Sequence, residues 1–297
     1  MLFQLKNWFL LALLLFGTSI LSNAQSRKMV TLKSSGYAPV NGLKMYYEIH
    51  GESGASDLPS GSVPLVLIHG GGSTIETSFA NLIPLLAPHS QLIAVELQAH
   101  GRTSDRAAPE SYQQDASDVV ALLKHLKVEK ANILGFSDGG CTTMQIAMSY
   151  PEILNKIVVV SSNYTRAGMM EGFFDFMETA TIESMPELLK TGYMRVNPDP
   201  KGLQAMFEKD RARRIAFKDW TDNDLRSIKA PALLMVADKD VITVPHVVAM
   251  SQLIPDARLA VIPGTHGSFI GEEISYTKGS KMPEATATMV LEFLGLN

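Results

Sequence analysis

The sequence has a single cysteine, Cys141, in 297 residues. No disulfide can form within the chain, and a thiolate zinc or iron–sulfur cage is excluded. Charge is also scarce. Asp, Glu, Lys and Arg make up 19% of the residues, and 26 basic against 30 acidic side chains leave a net charge of −4. Without a long basic run there is no electrostatic footprint for a nucleic-acid partner. No apolar run reaches the roughly 18–20 residues that span a bilayer. Internal repeats and low-complexity tracts are absent as well. What remains is ordinary for a folded protein: 46% hydrophobic residues, enough to fill one large domain or two small ones.

The first 24 residues read as a leader rather than as part of the fold. Lys6 supplies a positive start, residues 8–21 are an apolar stretch, and Ser22-Asn23-Ala24 puts small residues where a signal peptidase reads. Cleavage after Ala24 is expected, giving a secreted or periplasmic chain with no permanent membrane anchor. Export permits disulfides, yet Cys141 has no partner, so stability must come from the core.

Along the remaining chain, residues 30–32, 37–40 and 43–50 read as a β-meander, with Asn41-Gly42 as the turn between the last two. A polar loop follows at 51–64. Short apolar runs at 65–68, 92–95, 131–134, 157–160, 232–236 and 259–262 look like buried strands. Between them, 78–86, 116–126, 141–150 and 246–253 carry apolar residues at helical spacing. Such alternation implies an α/β fold with a mostly parallel sheet covered by helices on both faces. Its sites gather at the carboxyl ends of the strands. Residues 163–226 break the rhythm, being helical and rich in Met and Phe. They divide the chain into a core of 25–162 and 227–297 and a helical insertion. That insertion is either extra helices with a small core of their own, a Met-rich lid over an apolar pocket, or both.

Chemistry enters at Gly135-Phe136-Ser137-Asp138-Gly139, a G-x-S-x-G placed after an apolar strand and before a helical pattern. A sharp turn there lifts the Ser137 hydroxyl clear of the sheet at a helix N-terminus, where backbone N–H groups favour a developing anion. A serine hydroxyl needs a base, and the base an orienting acid, in the chain order Ser, Asp or Glu, His. Of the late histidines, His266 lies in a loop directly after the last strand and is the expected base. His246, at the start of a helical pattern, reads as a surface or capping residue. Asp238 and Asp240 both follow the 233–237 strand, and position alone does not choose between them. Asp240 lies deeper in the loop, which leaves Asp238 as a turn former.

Two N–H donors are needed for the oxyanion. One is expected from Asp138, and the other from Gly71 or Gly72 in the loop His69-Gly70-Gly71-Gly72-Ser73. A phosphate-cradling reading of that loop fails, because no Gly-Lys-Ser/Thr ending follows and the spacing is not G-x-G-x-x-G. His69 is expected to buttress the loop. The Asp138 carboxylate would oppose an oxyanion, so it should point away and be hydrogen-bonded elsewhere. Cys141, four residues after Ser137, is expected to pack rather than react. Arg211, Arg213 and Arg214 are expected on a solvated helix face, a carboxylate-binding role being the alternative.

From about residue 37 onward the chain resembles the α/β-hydrolase superfamily, of the kind with a helical cap between the sixth and seventh strands of an eight-stranded sheet. Besides the elbow, Glu96-Leu97-Gln98-Ala99-His100-Gly101-Arg102-Thr103 is similar to that family's strand-4 segment, with Ala99 and Thr103 in place of the commoner Gly and Ser. Pro263-Gly264-Thr265-His266 is similar to its histidine loop, and the alignment around Ala237 selects Asp240 as the acid. The resemblance implies a hydrolase without metal or cofactor, acting through an acyl-enzyme on Ser137 with His266 and Asp240. A small-molecule carboxylic ester or lactone is the implied substrate, bulky or apolar if the Met and Phe residues line the pocket. Alternatives on the same fold are a C–C bond (vinylogous diketone) hydrolase and a non-catalytic binding protein. An unusually long loop, 267–283, precedes a final helical segment at 284–294.

Overall fold

Asn41 and Gly42 both take positive φ, 45° and 83°, the backbone that a tight two-residue hairpin demands. They join β1 (Leu32–Val40) to β2 (Leu43–His50) in antiparallel register, Val40 opposite Leu43. This is the first detail of a computed structural model that describes residues 32–51 and 63–296. The expected leader lies outside the described residues, as does most of the 51–64 loop.

β2 also runs antiparallel to β4 (Leu92–Val95), and from there the sheet is parallel. β3 (Leu65–Ile68), β5 (Ala131–Phe136), β6 (Leu154–Val160), β7 (Ala232–Lys239) and β8 (Ala257–Thr265) complete eight strands in the order β1-β2-β4-β3-β5-β6-β7-β8. Strands buried on both faces need apolar residues at every position, which is why β3, β4 and β5 read as unbroken runs. Their alternation still sorts two cores. Val66 and Ile68 pack with α3 (Tyr112–His125), α4 (Asp138–Ser149) and α9 (Val244–Leu253). Leu65 and Leu67 face α1 (Ile75–Phe79), α2 (Ile83–Leu86) and α10 (Met282–Leu294).

Four expectations shift. β1 is one strand where two were expected: after a register shift between Leu32 and Ser34, residues 34–36 keep the ladder to β2 although they bury little, because an edge strand is held by backbone hydrogen bonds. β8 is likewise an edge, half-exposed with Val261 45% accessible, and not a buried strand. The 78–86 helix is two short helices, since Thr74 caps α1 and Pro84 in the first turn of α2 starts afresh. The nucleophile helix begins at Asp138, three residues early, with Gly139 and Gly140 carried in its first turn.

Between β6 and β7 lie α5 (Phe173–Thr179), α6 (Glu187–Val196), α7 (Pro200–Ala216) and α8 (Asp222–Arg226). Met185, Leu189, Tyr193, Leu203 and Met206 form a small core here that closes on Ala99. The Met and Phe residues divide: Met169, Met185 and Met206 are buried, whereas Met170 and Phe176 are half exposed.

Candidate active site

Ser137 ends β5 and caps α4 with φ 53° and ψ −116°, a backbone sparsely populated by any L-residue. Glycine permits the turn. A Cβ on Gly135 would lie 2.1 Å from the Gly139 carbonyl oxygen, and one on Gly139 would lie 2.2 Å from that of Ile68. The sharp elbow delivers the Ser137 hydroxyl to 3.1 Å from Nε2 of His266, which follows β8. On the other side of the ring, Nδ1 donates to Oδ1 of Asp240, beyond β7, at 2.6 Å. The structure thus brings all three expected residues into one chain of hydrogen bonds. Asp238 stands apart and exposed, accepting from the Gly264 N–H at 2.7 Å.

The Asp240 side chain is fully buried. Its oxygens also accept from the Ile242 N–H at 3.1 Å, the Ala237 N–H at 3.3 Å and the Ser161 hydroxyl at 2.6 Å. Burial raises its pKa, but the hydrogen bond and charge of His266, then Ser161 and Ile242, more than reverse this and hold it below the usual carboxylate range. Burial lowers the His266 pKa, while Asp240 and then the Glu272 carboxylate push it above its ordinary value. Ser161, at φ 52°, is a member of the site that sequence reasoning missed. A left-handed serine has no signature in the chain around it.

Glu272 was also missed. It is buried with its pKa raised to about 7 by burial, partly offset by His266. The carboxylate accepts from the Ser73 hydroxyl at 3.3 Å, so it bridges the histidine loop and the glycine-rich loop.

That glycine-rich loop lies against Ser137. A Cβ on Gly70 would come within 3.2 Å of the Ser137 Cβ. His69 is held as a neutral ring: Nδ1 donates to the Gly70 carbonyl at 2.7 Å and Nε2 accepts from the Leu97 N–H at 3.1 Å. Burial, then the charge of His100, lowers its pKa to about 3. The N–H of Asp138, in the first turn of α4, has no acceptor within its helix. The Gly72 N–H is differently placed, donating to Oδ2 of Asp210 on α7 at 2.5 Å, which removes it from the expected oxyanion donors.

The Asp138 side chain accepts from the Tyr112 hydroxyl at 2.5 Å, pairs with Arg214 Nη2 at 2.5 Å, and lies 3.2 Å from Arg213 Nη2. Burial raises its pKa, and the two arginines reverse this and lower it. Despite these partners it stays against the loop, with Oδ2 only 2.3 Å from the position of a Cβ on Gly71. Arg213 and Arg214 are therefore buried, not on a solvated face. Arg213 also reaches Asp115 at 2.8 Å, Glu110 at 3.3 Å, and Asp210. Arg211 is partly buried and donates to the backbone carbonyls of Met177 and Glu178.

His100 sits between two acceptors, the Gln98 carbonyl at 2.8 Å and Asp210 at 3.0 Å. Burial lowers its pKa, but the Asp210 charge and hydrogen bond raise it to about 9, so the ring is an imidazolium at neutral pH. His100, Glu110 and Asp210 place possible ligand atoms within 4.8 Å of one another. Arg213 already supplies the cation here, paired with Asp210 and 3.3 Å from Glu110.

A family model described as the alpha/beta hydrolase fold matches residues 63–210. The chain belongs to the α/β-hydrolase superfamily. It is 25% identical to the serine hydrolase BPHL of Homo sapiens over 271 residues, covering 89% of this chain and 83% of that one. Among solved structures, 2-hydroxy-6-oxo-6-phenylhexa-2,4-dienoate hydrolase from a Rhodococcus strain superposes with a TM-score of 0.71 at 19% identity, over 90% of this chain and 99% of the other. The enol-lactonase of Burkholderia xenovorans gives 0.65 at 21% identity, over 87% and 99%. Identities this low speak for the shared fold.

Proposed function

We propose that the protein is a serine hydrolase that cleaves a carboxylic ester or lactone through an acyl-enzyme. The observation that carries this reading is the unbroken Asp240–His266–Ser137 chain at the N-terminus of α4. His266 takes the Ser137 proton as the hydroxyl attacks the carbonyl, and Asp240 holds the imidazole in the tautomer that accepts it. The N–H groups of Asp138 and Gly71 serve as oxyanion donors. His266 then protonates the leaving alkoxide and activates water to release the acid.

Residues 163–226 act as the cap, and Met185 and Leu189 bring apolar side chains over Gly72, which favours a bulky or apolar substrate group. A C–C hydrolase acting on a vinylogous diketone with a carboxylate tail would want a free cation in the pocket. The buried arginines Arg213 and Arg214 are both engaged by carboxylates of the chain itself, which weighs toward esters and lactones. Residues 1–24 direct export, with the mature chain beginning at Gln25.

The decisive experiment pairs fluorophosphonate labelling with p-nitrophenyl ester turnover in wild type and Ser137→Ala. Labelling and turnover that disappear together in the variant are expected. Folded wild-type protein that takes no label would end the reading, and diketone cleavage without ester turnover would replace it with C–C hydrolysis.

A further inference from the structure

We propose that Asp210, carried on cap helix α7, is a positioning residue for the oxyanion loop, so that seating the cap sets the anion-stabilising side of the site. The inference rests on Ser137 being the nucleophile. Residues 70–72 are three successive glycines, so no side chain anchors them and their backbone is freer than any other sequence would leave it. Catalysis needs the opposite, since oxyanion donors act by being fixed before charge develops. The loop must therefore be held by groups outside it.

Two holds are visible, one at each end. The Gly70 carbonyl accepts from His69 Nδ1 at 2.7 Å and from the Ser73 N–H at 3.3 Å. In a planar trans peptide the carbonyl and the following N–H point in opposite directions, so this also directs the Gly71 N–H. At the other end, the Gly72 N–H donates to Oδ2 of Asp210, 138 residues away in the chain. That contact fixes the Gly71–Gly72 peptide and, with it, the second rotatable bond of Gly71. Gly72 adopts φ +68°, a conformation that glycine enters and leaves freely, so an external acceptor is what holds it there.

The acceptor itself is rigid. The same Oδ2 accepts from His100 Nε2 at 3.0 Å, and Oδ1 is held by Arg213. Asp210 is therefore a junction between three segments: the glycine loop after β3, the His100 turn after β4, and the cap. Its carboxylate oxygen would also lie 3.4 Å from a Cβ on Gly71, so it abuts Gly71 as well as Gly72. The cap and core meet here through the backbone that stabilises the oxyanion, which links cap position to kcat.

The test compares Asp210→Ala and Asp210→Asn with wild type on p-nitrophenyl butyrate, alongside inhibition by butylboronic acid, which becomes a tetrahedral anion on Ser137. In Asp210→Ala, kcat should fall on the order of 100-fold with KM changed less than about threefold, and boronate affinity should fall in step with kcat/KM. Asp210→Asn keeps an oxygen to accept from Gly72 and should regain at least about tenfold of that loss. If Asp210→Ala does not fold, Asp210→Ala/His100→Leu also removes the imidazolium that would be left without its carboxylate, while Arg213 keeps Asp115 and Asp138, and it should show the same loss. Unchanged kcat in the alanine or double variant overturns the inference, as do equal losses in Asp210→Ala and Asp210→Asn. Wild-type protein without ester turnover would instead refute the serine-hydrolase reading itself.

Discussion

Asp138 places a full negative charge beside the glycine loop proposed to bind the oxyanion, and its ion pair with Arg214 makes this tolerable. Removing the cation in Arg214→Met tests the point. Asp138 would keep the Tyr112 hydroxyl at 2.5 Å and Arg213 at 3.2 Å, and lose its ion pair at 2.5 Å. Leaving a buried charge short of its partner typically costs about 3–5 kcal/mol of stability. For a domain of this size that lowers Tm by on the order of 10 °C. The catalytic effect has a separate origin. At about 6 Å and an effective dielectric near 20, an uncompensated carboxylate opposes an oxyanion by about 3 kcal/mol. Since Arg213 still offsets part of this, kcat should fall roughly 10- to 100-fold.

The assay is a double-mutant cycle with Asp138→Asn, read by thermal melting and by kcat on an activated ester. Asp138→Asn/Arg214→Met should recover most of the kcat lost in Arg214→Met, with a coupling energy of about 2–3 kcal/mol in stability. Asp138→Asn alone should not raise kcat more than about tenfold, because its charge is already compensated. A coupling energy below about 0.5 kcal/mol, or an Arg214→Met enzyme with wild-type kcat, would refute the compensation argument.

The remaining predictions concern pH and the glycine loop. Because Asp240 and Glu272 hold the His266 pKa above its ordinary 6.5, the acid limb of kcat/KM for an ester should have its midpoint above pH 6.5. Glu272→Gln should move that limb to lower pH, and a limb that stays put would show that Glu272 exerts no charge effect on the ring. Glu110 is a carboxyl whose folded pKa is raised to about 8 by burial, against 4.5 unfolded. Folded protein therefore keeps a proton that the unfolded chain releases, so this group's contribution to stability is present below pH 4.5 and lost as pH rises toward 8. Glu110→Gln should flatten the fall of Tm across that window, and an unchanged slope would assign the fall to other groups. Gly71→Ala would drive a Cβ to 2.3 Å from Asp138 Oδ2 and should cut kcat at least about 100-fold. Near-wild-type turnover by that variant would refute the steric argument, since it would mean that Asp138 gives way to the Cβ and the loop keeps its place.

What could be read from the chain and what could not follows from how far apart the cooperating residues lie and what kind of signal each leaves. The elbow was legible because strand, tight turn and helix are consecutive. Ser137 sits inside a five-residue pattern whose steric demands are local. His266 and Asp240 were legible through the loops that end β8 and β7, although Asp240 needed more than position to separate it from Asp238. The buried ionic network left a fainter trace. Its members come from the 98–118 segment, the elbow and α7, and charged residues on a helix ordinarily face water. The trace does exist in α7. Leu203, Met206, Asp210, Arg213 and Phe217 are spaced by three and four, and all are buried. Two charges falling on the same stripe as Leu and Met cannot face solvent while those residues are packed, so each must find a partner of opposite sign inside. Applied to the sequence, that rule demotes the solvated-face reading of Arg213 and points to unassigned carboxylates at the core as its partners. It cannot say which ones, because Asp138, Asp115 and Glu110 are brought to α7 only by the packing of the helices between β6 and β7 on the sheet.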